Sequence, residues 1–373
     1  MDILQYLEKM KGTYEKLINF IDNQDENNSL LQDLVKIFNE RNDVNEFKFL
    51  LRLIKKISNN HQRTPYFFHR IEAILNLLKD NMKKQLTNGE IFNIFKSNKR
   101  ILLFLIKEKI LEIDIPILCI MADKQYLNRK YIQYFSPEIK SLMEKSPTLL
   151  TNLESYQIKE ISDTISEKLP QNFEEMREKG EDDRNLYAAI RKDSVQEFQE
   201  NLKYSEKSLN SEIIYSDRYE TNLFILNNRN KMIEYAAING SIQILQYLFS
   251  KGVDYDSSLL WLYAVHSNNL QVIQFLEKNN VKPRNDDYMK CIKESIKCHH
   301  NDLTNYLIST HLQNEDESSI FLTLNGLAYY NFEFIKDDKV DQRYFYAFCK
   351  YNYINIVQFL LKSEDMNVNK TYI

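Results

Sequence analysis

The stretch KMIEYAAINGSIQILQYLFSKG, Lys231 to Gly252, decides the fold of this chain. Before Gly240, Ile233, Ala236 and Ala237 recur at i, i+3 and i+4, so one bulky and two small residues share one face of a short helix. After Gly240 a second apolar segment begins. Because glycine adopts a positive φ without steric cost, the stretch predicts two helices that reverse direction at Gly240.

The second helix of this unit carries an apolar stripe that must be buried. Its members are Ile242, Leu245, Leu248 and Phe249, with Ile244 and Tyr247 beside them. A single helix pair cannot bury both of its faces, so the stretch predicts a stack of similar pairs.

Similar units follow downstream and supply that stack. Their reversal points fall at residues 240, 268, 299, 331 and 352, spaced by 28, 31, 32 and 21 residues, and the copy around 331 is weak and shortened. The first three spacings lie just under the roughly 33-residue ankyrin period and well below the roughly 40 to 47 residues of HEAT or armadillo units. The stripe continues in later copies, with Leu270, Val272, Ile273 and Leu276 in the second and Ile356, Val357, Leu360 and Leu361 in the last. We therefore expect residues 231–361 to form stacked antiparallel helix pairs with almost no β-sheet.

Two runs of sequence resemble the ankyrin pattern A-A-x-x-G-x-x-x-I-V-x-L-L-L-x-x-G-A-D. They are AAINGSIQILQYLFSKGVD and NYINIVQFLLKSEDMNVN. More narrowly, residues 170–312 resemble the divergent ankyrin-repeat proteins that trichomonad protists encode in large numbers. The resemblance implies a helical N-terminal region of unknown role and a concave surface that binds another protein. No copy contains the T-P-L-H tetrapeptide, which puts the usual hairpin fingers between repeats in doubt.

The composition supports a helical chain. Six Gly and six Pro in 373 residues disfavour sandwiches, barrels and Gly-rich nucleotide folds. We predict an all-α protein with a helical N-terminal domain at 1–160, a charged linker or exposed helices at 161–184, and an ankyrin-like α-solenoid of degenerate helix pairs at 185–373. Whether the N-terminal domain consists of worn repeats stays open. Within it, Thr87 and Glu90 have capping-box spacing, so a helix should begin there.

The net charge and the cysteine content limit the cellular compartment and the kinds of partner that are expected. The net charge is −4 and the four cysteines are dispersed, which suits a reducing compartment and indicates neither nucleic acid nor membrane as the dominant partner. The apolar segment Ile101–Ala122 contains too many charges for a membrane span, and the N-terminus has no signal-peptide core. We expect a cytoplasmic monomer, with the nucleus left open.

The search for catalytic chemistry finds no convincing site. The sequence contains no G-x-x-x-x-G-K-[ST] or G-x-G-x-x-G cradle, no G-x-S-x-G elbow and no H-E-x-x-H pair. We therefore expect no catalytic residues and no cofactor, and the protein is interpreted as a non-enzyme.

One group of cysteine and histidine residues could in principle bind a metal ion. It comprises Cys291, Cys298, His299, His300 and His311. Zinc sites usually present C-x₂₋₄-C and a separated His pair, and this spacing is different. We therefore expect no metal here and no effect of chelators on stability.

Two other features have a structural and a functional interpretation. Trp261 aligns with Ile233 and Ile292, which favours a core position over a binding hot spot. The basic segment 79–109 is interpreted as a solvated helix face, although binding of an acidic partner through it stays open.

The ankyrin resemblance also assigns candidate partner-binding residues, carried over position by position. They precede the first helix of a pair or the reversal point, where ankyrin repeats face the concave side: Asn228, Asn230, Asn239, Asp256, Ser258, His266, Ser267, Asp287, Met289, Lys297, Lys350 and Tyr351. On this assignment, replacing His266 and Lys297 by alanine should weaken partner capture and change stability by less than about 1 kcal/mol.

The favoured function is a non-catalytic protein-binding or scaffold protein whose partners are unidentified proteins. Two alternatives stay open. One is an enzyme or adaptor with an unrecognised N-terminal activity, and the other is a nucleic-acid binder that uses the basic segment 79–109.

Overall fold

The fold is helical throughout the part of the chain that the computed structural model describes. Helix accounts for 74% and strand for 1%, so the predicted all-α class is confirmed. The described residues are 3–23, 28–39, 43–64, 66–123, 129–145, 153–180, 184–213, 219–226, 230–312, 315–335 and 344–362.

The helices are short, and most of those after residue 184 come in pairs. In chain order they are α1 (Ile3–Asp22), α2 (Asn28–Asn39), α3 (Val44–Asn60), α4 (Phe67–Leu77), α5 (Lys79–Gln85), α6 (Asn88–Phe95), α7 (Lys99–Lys107), α8 (Ile115–Ala122), α9 (Arg129–Tyr134), α10 (Ser136–Lys145), α11 (Ser155–Ile165), α12 (Phe173–Lys179), α13 (Asn185–Arg191), α14 (Val195–Lys203), α15 (Leu223–Leu226), α16 (Met232–Ile238), α17 (Ile242–Ser250), α18 (Ser257–Ser267), α19 (Leu270–Lys278), α20 (Met289–Lys297), α21 (Asn301–His311), α22 (Glu315–Tyr329), α23 (Phe345–Lys350) and α24 (Ile354–Lys362). Two short strands, β1 (Glu212–Ile213) and β2 (Asn230–Lys231), pair with each other.

The chain divides into two compact units. The first consists of residues 1–74, 189–211 and 231–373, and the second of residues 75–188 and 212–230. The boundaries at 160 and 184 that we predicted from the sequence do not coincide with the limits of these units. The division into domains at residues 160 and 184 stays a prediction.

In the first unit, the first helices of successive pairs pack on one another. Helix α16 packs against α18, α18 against α20, α20 against α22, and α22 against α23. Most are followed closely by the second helix of the pair, as α16 is by α17 and α18 by α19. After α22 comes only a 3₁₀ turn, Phe332–Phe334, at the copy that the sequence indicated to be shortened.

The reversals are made by residues in the left-handed conformation. The backbone φ is 68° at Gly240, 50° at Asn268, 61° at His299 and 64° at Asn352, the four positions predicted from the sequence. At the remaining reversal the left-handed residue is Tyr330, with a φ of 59°, one position before the predicted Asn331.

The buried stripe of the pairs differs in detail from the predicted one. Ile244, Leu245 and Leu248 are all fully buried in α17, and Trp261 is fully buried in α18 as predicted. By contrast, Leu270 is 61% exposed and Leu361 is 54% exposed, although both were assigned to the stripe. The second helices therefore bury a narrower face than the sequence pattern indicated.

The N-terminal helices α1 and α3 belong to the same unit as the helix pairs. Helix α1 packs on the 3₁₀ turn at 332–334 and on α24, and α3 also packs on α24. The buried Tyr14 hydroxyl lies 3.1 Å from Asn331 Oδ1, accepts a hydrogen bond from Asn301 Nδ2 at 3.2 Å, and lies 3.3 Å from His299 Nδ1.

The second unit has its own core, which includes a buried cation. The Arg177 side chain is 2% exposed and pairs with Glu138 at 2.7 Å and with Glu174 at 2.7 Å. Phe173 and Met176 are buried beside it on α12, within the segment interpreted as a charged linker or exposed helices. Helix α6 begins with the predicted capping box between Thr87 and Glu90.

None of the helices in the described residues combines the length and the apolar character that crossing a membrane requires.

Candidate protein-binding surface

The predicted partner-binding residues are distributed between open and buried positions. Asp287 and Lys350 are exposed, and six others are half-buried: Asn239, Asp256, Ser258, Met289, Lys297 and Tyr351. Asn230, His266 and Ser267 are buried, and Asn228 lies outside the described residues. The structure therefore does not present all twelve on one surface.

Three of these residues come together around one open cavity. Asp256 and Ser258 at the start of α18 and Asp287 just before α20 line a cavity of about 400 Å³. The cavity is thus built from equivalent places in two successive helix pairs. Its remaining lining is partly apolar, from Leu259, Leu262, Pro283 and Cys291, and partly polar, from Arg284, Asn285 and Lys290.

The Asp256 carboxylate organises one side of the cavity. Its Oδ1 caps α18 by accepting from the Ser258 amide at 2.9 Å and the Leu259 amide at 3.3 Å. Its Oδ2 accepts from the Arg284 guanidinium at 2.7 Å, and the Arg284 amide donates to Ser258 Oγ at 2.9 Å. The Arg284 side chain is 74% exposed, so the pair adds at most about 1 kcal/mol and mainly positions the guanidinium at the rim.

A tight turn precedes α20. Arg284–Asp286 form a 3₁₀ turn, with a φ of 60° at Asn285 and 53° at Asp286. Asp287 Oδ1 then accepts from the Met289 amide at 3.0 Å, at the start of α20. The described segments 251–256 and 279–288 contain no strand.

Two further predicted residues, His266 and Lys297, meet at a buried carboxylate. His266 Nδ1 donates to Glu294 Oε1 at 2.8 Å, and Lys297 Nζ donates to both oxygens of Glu294 at 2.9 and 3.1 Å. The Cys298 thiol lies 3.4 Å from Glu294 Oε1 and 3.3 Å from His266 Nδ1. This buried cluster joins α18 to the C-terminal end of α20.

Burial and the neighbouring charges set the protonation states in the buried cluster. Burial would raise the pKa of the Glu294 carboxyl, but the hydrogen bond from His266 and the charge of Lys297 hold that pKa below its ordinary value. Burial lowers the pKa of His266, which outweighs the opposite effect of Glu294. Burial beside the Glu294 carboxylate also holds the pKa of the Cys298 thiol well above its ordinary value. At neutral pH, Glu294 is therefore charged, while His266 and Cys298 are neutral.

This arrangement does not fit a nucleophilic triad. In such a triad the acid and the nucleophile contact different nitrogens of the histidine ring, whereas here Cys298 and Glu294 both approach Nδ1. A reactive thiol also needs a lowered pKa, and the pKa of Cys298 is raised.

The other cysteine and histidine residues considered from the sequence occupy separate positions. His299 faces Tyr14, His300 Nε2 donates to the main-chain oxygen of His266 at 3.2 Å, and the His311 ring stacks on Tyr288 with 3.6 Å between the ring centroids. Of the five, only Cys298 belongs to a group of three possible metal ligands in the described residues, together with His266 and Glu294.

The sequence did not identify several residues of the cavity or of the buried cluster around Glu294. Arg284 and Lys290 at the cavity rim lie in the segment between two pairs, and their position beside the predicted Asp287 is the signal that could have identified them. Glu294 was missed because a charged residue in an amphipathic helix usually faces solvent. Its burial depends on His266, 28 residues away in sequence.

Comparison with protein-family models, with curated proteins and with solved structures gave no match to this chain.

Proposed function

We propose that this chain is a non-catalytic protein-binding protein whose helix pairs form a divergent ankyrin-type stack with a concave binding surface. The support for the stack is the packing of successive first helices and the left-handed reversal residues from Gly240 to Tyr330, which are spaced by intervals close to one ankyrin period. Repeat stacks of this kind act by presenting an extended surface to another macromolecule.

The observation that carries the proposal is the cavity between the starts of α18 and α20. Two successive pairs contribute equivalent residues to it, Asp256 from one and Asp287 from the next, and both positions were assigned to the binding surface from the sequence. A surface used for recognition should be built from the same place in neighbouring repeats.

The lining of the cavity fits one kind of partner. Leu259 and Leu262 provide apolar lining, and two cations and two carboxylates provide charge. Arg284 is paired with Asp256, and Asp287 accepts from the Met289 amide, which leaves the Lys290 ammonium for a partner. Protein interfaces combine an apolar, well-packed centre with a polar and charged rim. The partner should insert an apolar side chain into the cavity and place a carboxylate near the Lys290 ammonium.

The nucleic-acid alternative receives less support from the basic segment. Lys79 pairs with Glu108 at 3.1 Å, Lys107 pairs with Glu178, and Lys99 is only 4% exposed with its ammonium 5.0 Å from the centre of the Tyr134 ring. Charges already neutralised or buried contribute little to phosphate binding.

The proposal is tested by charge reversal at the rim. Lys290→Glu places the opposite charge in the cavity, whereas Lys293→Glu makes the same change on an exposed face of the same helix outside the cavity lining. Tagged wild type and both variants are used to capture proteins from the native cell. We expect a specific partner to be lost with Lys290→Glu and kept with Lys293→Glu.

Identical captures by all three proteins would place binding elsewhere. Circular dichroism of both variants at equal concentration shows whether each is folded, so a loss of capture can be attributed to the cavity.

A further inference from the structure

Three side chains of different chemistry converge on one buried point between α18 and α20. His266 Nδ1, Glu294 Oε1 and Cys298 Sγ form a triangle with sides of 2.8, 3.3 and 3.4 Å. All three residues are buried. A triad for catalysis would be extended in a line, whereas three donor atoms at the corners of a small triangle are close enough to share one ligand.

The sequence places these atoms together through helix geometry. Glu294 and Cys298 are four residues apart, so they lie on one face of α20 one turn from each other. His266 lies near the end of α18, which packs against α20. The main-chain oxygen of His266 is held by the His300 imidazole at 3.2 Å, which helps to fix the end of α18.

The triangle is close to one face of a zinc tetrahedron. Bond lengths of about 2.0 to 2.1 Å to nitrogen, 2.0 to 2.2 Å to oxygen and 2.3 Å to sulfur give ligand separations of roughly 3.3 to 3.6 Å. Edges that include sulfur should measure about 3.5 to 3.6 Å, so the two edges at Cys298 Sγ, 3.3 and 3.4 Å, have to open by roughly 0.2 Å. The edge between His266 and Glu294, now a hydrogen bond of 2.8 Å, has to open by roughly half an ångström.

We propose that His266, Glu294 and Cys298 bind one Zn²⁺ ion through Nδ1, Oε1 and Sγ. The spacing of the cysteines and histidines alone led us to expect no metal at Cys298, because it does not show that His266 and Glu294 join this residue. Imidazole with thiolate is a donor set that favours zinc over magnesium or calcium. The inference does not depend on the proposed protein-binding function.

The charges at the site are compatible with a divalent cation. On binding, the thiol proton leaves to solvent and the ring proton of neutral His266 moves from Nδ1 to Nε2, which frees the Nδ1 lone pair. The thiolate and the Glu294 carboxylate then balance the two charges of the ion. Lys297 Nζ donates to Glu294 Oε1 at 2.9 Å and to Oε2 at 3.1 Å, so on metal binding it gives up the contact with Oε1 and keeps the one with Oε2. Because a proton is released, zinc binding should weaken tenfold or more for each unit that the pH is lowered below the range where the thiol is easily deprotonated.

Cobalt(II) provides the direct test, because a Co²⁺–thiolate bond gives an intense charge-transfer absorption that zinc lacks. Purified full-length protein is freed of metal and titrated with Co²⁺, then with Zn²⁺. We expect one Co²⁺ per chain with thiolate charge-transfer absorption, and its displacement by an equivalent of Zn²⁺. Folded wild-type protein that shows no such absorption would overturn the proposal.

The chain offers a matched control for the loss of a buried thiol. Cys298→Ser should abolish the charge-transfer absorption, while Cys291→Ser, which changes a buried cysteine on the same helix outside the trio, should keep it. If the signal survives in Cys298→Ser or is lost equally in both folded variants, the ligand assignment is wrong. Elemental analysis of protein purified without chelators should show one zinc per chain for the wild type and Cys291→Ser.

Discussion

At the scale of single residues, burial changes the role of His266 and Lys297. Both were assigned to a solvent-exposed binding face, but His266 is 6% exposed and both side chains bind the buried Glu294 carboxylate. We expected their joint replacement to leave stability almost unchanged because both were taken to be exposed, and this premise is wrong. Removing both partners leaves a buried charge without compensation.

We now expect the double variant His266→Ala with Lys297→Ala to lose about 3 to 5 kcal/mol of unfolding free energy, the cost of an uncompensated buried charge. Urea denaturation of the double variant measures this loss. The control is Lys350→Ala, because Lys350 is exposed and should change stability by less than about 0.5 kcal/mol. A double variant as stable as the control would mean that Glu294 is solvated or protonated.

Leu248 is a residue whose burial was correctly predicted from the sequence. It was assigned to the buried stripe and is fully buried, so Leu248→Ala should cost about 2 to 5 kcal/mol through lost burial and a cavity. Leu270→Ala, at a stripe position that is 61% exposed, should cost less than about 1 kcal/mol. Equal losses in urea denaturation would show that both leucines are packed.

At the scale of the elements, the reversals could be predicted because their cause is local. Gly240, Asn268 and Asn352 are residue types that tolerate positive φ, and each follows a short apolar helix. At the shortened copy the left-handed residue is Tyr330, one position before the predicted one, and the Asn331 Nδ2 donates instead to the Ile296 carbonyl at 3.0 Å. Such a contact across 35 residues has no local signature.

Two glycines differ in whether their backbone conformation requires glycine. At Gly240, with a φ of 68°, an added Cβ would lie 2.5 Å from Asn269 Nδ2, whereas at Gly12 in α1 it would meet nothing within 4 Å. Gly240→Ala should therefore destabilise the protein by at least about 1 kcal/mol. Gly12→Ala should stabilise it by about 0.5 to 1 kcal/mol. Thermal unfolding of both variants checks the opposite signs, and a neutral Gly240→Ala would contradict the left-handed reversal.

At the scale of the whole molecule, the sequence did not reveal that residues 1–74 belong to the same unit as the helix pairs. That grouping rests on contacts such as Tyr14 with Asn331 and His61 with the Cys298 carbonyl at 2.7 Å, which join residues more than 200 positions apart. For the same reason, only some residues of the cavity could be predicted. Asp256 and Asp287 were identified by aligning the repeats, whereas the pairing of Arg284 with Asp256 joins residues 28 positions apart.

The buried histidines of the first unit should make its stability depend on pH. Burial holds the pKa of His299 well below its ordinary value and lowers the pKa of His300 to about 3. In the unfolded chain both titrate near 6.5, so below that pH the unfolded state binds more protons and stability falls. Each histidine should remove up to about 1.4 kcal/mol per pH unit as the pH falls below about 6.5, and for His300 this loss continues down to about pH 3. Urea denaturation at pH 7 and pH 5 measures this, and equal stability at the two values would contradict their burial as neutral groups.

We propose that another protein binds in the cavity between α18 and α20. The most direct measurement places a photo-crosslinking amino acid at position 290, in the cavity lining, or at position 293, exposed on the same helix outside it. After irradiation of the native cell, we expect a discrete crosslinked protein from position 290 and none of that mass from position 293. The same crosslinked protein from both positions, or none from position 290, would contradict the claim.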